Sequence, residues 1–98
     1  MSSAPNPAGA IIRVMKIVNE KGLHARASAK FVQLVEKYDA KVTVSRAGES
    51  AGGDSIMGLM MLAAGIGTSI EVSAMGAQAA EVVDALDALV SGKFGEEE

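Results

Sequence analysis

The chain has 98 residues, a formal net charge of −3 and no shift in composition along its length, which suits one domain, 1–98, around one modest core. At this size about 60–65 % of the unfolded surface is buried, which leaves no room for both a core and a deep catalytic cavity, so chemistry is expected at the surface with a partner completing the site. Scattered basic residues and the few aromatics Phe31, Tyr38 and Phe94 offer neither a basic stripe nor stacking platforms, so nucleic acid is not an expected partner; the lack of cysteine removes disulfides, thiol catalysis and Cys-based zinc sites and fits a reducing compartment.

The start of the chain, through Gly9, is polar and uncharged, without the basic and apolar regions of a secretory signal. Residues 1–10 and 94–98 read as flexible tails, the second a solvated acidic end. The longest apolar-looking stretch, Ile56 to Gly67, is interrupted by Gly58 and Gly65 and is too short to span a bilayer, so a soluble cytoplasmic protein without membrane insertion is expected.

Ile11 to Val18 is rich in β-branched residues and predicts a strand, with Ile11, Met15 and Ile17 on one face and Ile12, Val14 and Val18 on the other. Asn19 to Leu23 is a turn in which Gly22 is free to take a positive φ. From Ala25 to about Tyr38 the period is helical: Ala27, Phe31, Leu34, Val35 and Tyr38 form an inward stripe, and Lys30, Gln33, Glu36 and Lys37 face water. Lys41 to Arg46 alternates as a half-buried strand, and Ala47-Gly48 turns into a short strand near Glu49–Ala51.

Ser55 is an N-cap for a short helix ending near Leu62 or Ala63, stopped by Gly65 and Gly67; this glycine pair lacks the longer pattern of a nucleotide loop. Ser69 to Ala74 is another alternating strand. Ala77 to about Val90 is a helix with Val82, Val83, Leu86, Leu89 and Val90 inward and Glu81, Asp84 and Asp87 outward. The order β-α-β-β-α-β-α predicts an α+β fold, helices covering one face of an antiparallel sheet.

The segment Gly22-Leu23-His24-Ala25-Arg26 carries the chemistry. His24, the only histidine, falls at or beside the N-cap, where the first backbone amides, including those of Ala25 and Arg26, lack helical partners and the macrodipole is positive. Such a terminus is an anion site, and Arg26 adds a cation. Residues two apart do not face each other on a regular helix, but an N-cap has non-helical dihedrals, so the ring can lean over the helix end. Imidazole is nucleophilic near neutral pH, and stabilising a phosphoryl group is mostly electrostatic work. By itself, a lone histidine at a helix start is more often a cap or surface residue. A metal site lacks a second histidine, cysteine or suitably spaced carboxylates, and no cofactor is expected.

Gly22-Leu-His-Ala-Arg-Ala-Ser-Ala-Lys-Phe31 resembles the active-site segment of HPr, the histidine phosphocarrier family of the bacterial phosphoenolpyruvate-dependent phosphotransferase system. Asp54-Ser-Ile-Met-Gly-Leu-Met-Met-Leu62 resembles the family's serine segment, at a similar separation, and is closer to its nitrogen-related branch, often called NPr. The resemblance runs from about Ile11 to Val90. It implies an open-faced β-sandwich, a four-stranded antiparallel sheet with three helices on one side, working as a monomer. It also implies that His24 accepts phosphate at Nδ1 from enzyme I and donates it to a IIA protein, with Arg26 neutralising the phosphoryl oxygens; such a chain is a covalent carrier and not a stand-alone enzyme. Where the family usually has proline after that arginine, this chain has Ala27, which removes a residue that presets the first helical turn.

Ser55 has a plain role as a cap, and the resemblance adds possible phosphorylation by HPr kinase/phosphorylase. Phosphate there would put about two negative charges beside Ile56, Met57 and Met60 and weaken docking of any partner that binds them. Helical spacing turns Leu59 and Leu62 inward and leaves Met57 and Met60 as contacts, with Ala29 and Gln33 flanking; methionine suits a surface that takes several partners in turn. The rival expectation is a regulatory docking module in which phosphorylation of His24 or Ser55 only modulates binding.

Overall fold

The computed structural model describes residues 9–96; the start of the expected N-terminal tail, and Glu97 and Glu98 of the C-terminal one, lie outside the described residues. The elements are β1 (Ile11–Lys16), α1 (Ala25–Val35), β2 (Lys41–Arg46), β3 (Glu49–Gly52), α2 (Ile56–Met61), β4 (Ser69–Met75) and α3 (Ala79–Ser91), followed by a short 3-10 turn, Lys93–Gly95. The sheet order is β1-β4-β2-β3, and every pairing is antiparallel. The expected open sheet with three helices is the observed architecture.

Register follows from which residues need burial. Met15 sits opposite Ile70 on one side of β4, and Val44 sits opposite Val72 on the other. All four point at the helices, together with Phe31 and Val35 of α1, Leu59 of α2 and Val82, Val83, Leu86 and Val90 of α3. A one-residue slip would turn each strand's apolar set to solvent. The ambiguity in β1 resolves the same way: Met15 is 2 % exposed while Val14, on the open face, is 64 % exposed. Arg13 leans from β1 to α3, where Nη1 lies 2.9 Å from Asp84 and 3.2 Å from Asp87, residues expected to face water. These pairs are exposed enough to contribute little individually.

Several boundaries differ from expectation: β1 ends at Lys16 and not at Val18, and three helix ends shift as well. α1 ends at Val35, because Lys37 and Tyr38 bond back three residues, to Leu34 and Val35, in a tighter turn that still packs Tyr38. α2 ends at Met61, and the left-handed residue behind it is Ala63 at φ 53°, not Gly65. α3 begins at Ala79 and not at Ala77. The β2–β3 turn is as read, with Ala47 and Gly48 both at positive φ, the geometry whose twist matches a two-residue hairpin.

The turn between β1 and α1 is locked onto the segment after α2. Gly22 has φ 63°, and a Cβ there would lie 2.4 Å from the Ala64 carbonyl oxygen, the same oxygen that accepts from the Leu23 amide at 3.0 Å. Only glycine satisfies both the dihedral and the contact. His24 follows this anchor by two residues.

Candidate functional site at the start of α1

His24 is the N-cap of α1, with extended dihedrals (φ −75°, ψ −176°). Its carbonyl accepts the Ser28 amide at 2.8 Å, the first turn of the helix. Its side chain accepts from the helix as well: the Arg26 amide donates to Nδ1 at 3.3 Å. The ring therefore lies over the helix end, as the dihedrals of an N-cap allow. Leu23 and Ala27 on either side are buried, and the fully buried Ser28 donates its hydroxyl to the Leu23 carbonyl at 3.1 Å. Buried neighbours hold the backbone while the ring keeps 28 % exposure.

The other ring nitrogen is also engaged. Nε2 lies 2.5 Å from Oε2 of Glu96, a residue expected in the solvated tail. Oε1 of Glu96 accepts from Asn19 Nδ2 at 3.2 Å, and the same amide group donates to the Gly22 carbonyl at 2.9 Å. Lys30, expected to face water, donates to the Phe94 carbonyl at 2.6 Å, and Phe94 itself is 1 % exposed in the core. Residues 94–96 are thus part of the domain, a correction to the expected tail. The bond to His24 holds the Glu96 carboxyl below its ordinary range; the bond from Asn19 and the charge of Lys21 act the same way, and burial acts against them.

The result is a cleft of about 510 Å³ over the helix start, walled by Glu20, Lys21, Arg26, Lys30 and Glu96 around His24. Lysine and arginine charges and the N-terminal end of an 11-residue helix are groups of the kind that stabilise an anion. Sequence reasoning found His24, Ala25 and Arg26 here. It missed Asn19 and Glu96. Asn19 carried only a turn signal, and nothing local marked Glu96.

A second groove, about 280 Å³, runs from His24 past Lys21 and Leu23 to Met60, Ala63 and Gly65. It connects the ring to an apolar surface. Met57 is 70 % exposed, Ile56 and Met60 are each 40 % exposed, and Leu59 and Leu62 are buried, as the spacing predicts. Met61 and Ile66, not expected, extend the surface. Gln33 is exposed and Ala29 half-buried on α1, which packs beside α2. Ser55 opens the far end of α2 as its N-cap, Oγ accepting from the Gly58 amide at 3.0 Å.

Among the described residues no group of three histidine or carboxylate side chains converges to hold a metal, and no helix is long and apolar enough to cross a membrane.

An open antiparallel sheet under three helices, with a histidine capping the first of them inside a cleft of charged side chains, defines a class of small α+β proteins. A family model described as the PTS HPr component phosphorylation site matches residues 11–92. "Phosphocarrier protein HPr" of Cupriavidus necator is 49 % identical over 82 residues, 84 % of this chain and 92 % of that one. "Phosphocarrier protein NPr" of Shewanella violacea is 39 % identical over 84 residues, 86 % of this chain and 92 % of that one. Among solved structures, HPr of Thermoanaerobacter tengcongensis superposes with a TM-score of 0.85 at 36 % identity, over 90 % of this chain and 99 % of that one. HPr of Bacillus anthracis gives 0.79 at 33 %, over 83 % and 96 %. The chain belongs to the HPr family of phosphocarrier proteins of the phosphotransferase system.

Proposed function

We propose that His24 is the phosphoryl acceptor of this carrier, taking the group at Nδ1 from phosphorylated enzyme I and passing it to a IIA protein of the sugar or nitrogen-related branch, in the cytoplasm. The observation that supports this most is the ring's placement: Nδ1 faces the Arg26 amide at the open end of α1, inside a cleft that carries Lys21, Arg26 and Lys30. The Nδ1 lone pair attacks phosphorus; the N–P bond forms as the bond to the donor atom breaks, and that electron pair stays with the donor. Arg26 and the amides of Ala25 and Arg26 then face the phosphoryl oxygens. The working unit is one chain, since it supplies all these groups.

Docking falls to the apolar surface beside the site, Ile56, Met57 and Met60 with Ala29 and Gln33 alongside; the groove joining His24 to Met60 supports this. Ser55 is the regulatory position in this reading: phosphorylation by an HPr kinase/phosphorylase charges the edge of that surface.

Incubating the full chain with enzyme I and phosphoenolpyruvate tests the core of the proposal. An acid-labile, base-stable phosphate at His24 that passes on to a IIA protein is the expected result. A chain that never gains the phosphate, or gains and retains it, fits the docking-module alternative instead.

A further inference from the structure

The transfer step above makes no use of Glu96, yet its carboxylate is in direct contact with the reacting ring, Oε2 lying 2.5 Å from Nε2. The tail is held there by more than that bond. Phe94 is sunk in the core, its carbonyl takes the Lys30 ammonium at 2.6 Å, and Asn19 holds the other carboxylate oxygen at 3.2 Å. Lys93 and Phe94 sit at φ 60° and 56°, a conformation that residues with side chains keep only where their surroundings over-determine it. The chain turns sharply at this point, and Glu96 arrives over His24.

A neutral imidazole carries one proton, on either nitrogen, and which one depends on its partners. A carboxylate can only accept, so its contact with Nε2 requires the proton there. A backbone amide can only donate, so the Arg26 contact requires the lone pair on Nδ1. Both partners select the same tautomer. Nδ1, the nitrogen left with the lone pair, is the one facing the helix terminus.

The geometry points to the side-chain carboxylate of Glu96 as the positioning residue of His24, holding the ring as the Nε2–H tautomer and countering the positive charge it carries while Nδ1 is phosphorylated. This rests on the reading of His24 as acceptor. When Nδ1 attacks, the N–P bond forms, the donor leaves with its electron pair, and the ring becomes a phosphoimidazolium with its proton still on Nε2. On transfer the N–P pair returns to Nδ1, and the ring departs as neutral imidazole. No proton enters or leaves in either direction. Among the described residues, the charged groups around the ring are Glu20 and Lys21 from the β1–α1 turn, Arg26 and Lys30 from α1, and Glu96 from the terminal turn. The three cations favour the phosphoryl oxygens and disfavour a charged ring. Glu96 is the carboxylate in contact with Nε2, where that charge must be offset.

The test uses the full ¹⁵N-labelled chain without phosphate and reads the ring nitrogens of His24 by long-range ¹H–¹⁵N NMR. The expected wild-type result is a protonated Nε2 with a far-downfield, slowly exchanging ring proton, and an unprotonated Nδ1. E96A should lose that proton signal and show mixed tautomers, with amide shifts confined to the β1–α1 turn, the first turn of α1 and the terminal turn; E97A and E98A should leave the ring signals as in the wild type. In phosphoryl transfer from enzyme I, E96A should lower the maximal rate about tenfold with an unchanged KM for the carrier, the usual scale for a group that orients a reacting histidine. A wild-type ring protonated on Nδ1, a ring signal indifferent to E96A, an equal effect of E97A, or an unchanged rate in E96A each overturns the proposal. A wild-type chain that accepts no phosphate refutes His24 as acceptor, while the ring-proton measurement, which needs no phosphate, still decides whether Glu96 holds the tautomer.

Discussion

The chain begins two of its helices with a side chain that accepts from its own backbone, and the two starts behave differently. At α1, His24 Nδ1 accepts from Arg26 two residues on at 3.3 Å; at α2, Ser55 Oγ accepts from Gly58 three residues on at 3.0 Å. Both caps have extended dihedrals. The difference lies in the surroundings. His24 looks into a cleft of lysine, arginine and glutamate, at the end of an 11-residue helix, whereas Ser55 opens a six-residue helix beside exposed Ile56 and Met57. A cap bond shapes a helix start; neighbouring charge and apolar surface determine what that start is suited to handle.

The sharpest way to break this contrast is to remove each cap in turn. H24A should abolish phosphate acceptance from enzyme I while leaving the domain folded, as judged by gel-shift or phosphate labelling beside circular dichroism. Labelling that persists at another residue would end the assignment. R26A should keep the acceptor and lose its cation, lowering the acceptance rate about 10²-fold, the scale of one preorganised donor to a developing charge; rapid-quench kinetics would read it.

Ser55 predicts the opposite pattern. S55A should cost about 1 kcal/mol in urea unfolding, the usual worth of a cap, and leave acceptance near the wild-type rate. S55D, which adds charge beside Ile56 and Met57, should raise the KM of enzyme I for the carrier several-fold with little change in maximal rate. An effect of S55D on the maximal rate alone would place Ser55 in the chemistry instead of docking.

The smallest expected effect sharpens the role of the tail. The bond to His24, ahead of the bond from Asn19, holds the folded Glu96 carboxyl below the usual carboxylate range. A carboxyl depressed on folding stabilises the protein above its unfolded pKa, and that contribution fades as pH falls through the lowered folded value. Thermal melts of wild type and E96Q should therefore differ most above pH 4.5 and converge in acid. A gap that widens on acidification would contradict the contact.

Much of the fold was legible because its signals are local. Alternation in Lys41–Arg46 and Ser69–Ala74, the hairpin turn at Ala47-Gly48 and the caps His24 and Ser55 each depend on a few neighbouring residues. The failures share the opposite property. Arg13 on β1 pairs with Asp84 and Asp87 on α3, more than 70 positions away. Lys30 sits on the polar side of α1 by period, yet a carbonyl 64 residues away takes its ammonium. Asn19 read as a turn residue and is fully buried beneath the site.

The linear order of residues by itself determined the element order, the burying face of each helix and the meeting of His24, Ala25 and Arg26 at one helix start, because backbone propensity, side-chain period and capping act over a handful of positions. Only the tertiary structure decided that Glu96 closes over that start, 72 positions downstream of the histidine, and that Met60 opens onto its groove. Contacts of that separation depend on how Phe94 packs into a core built from every element, which no local window contains.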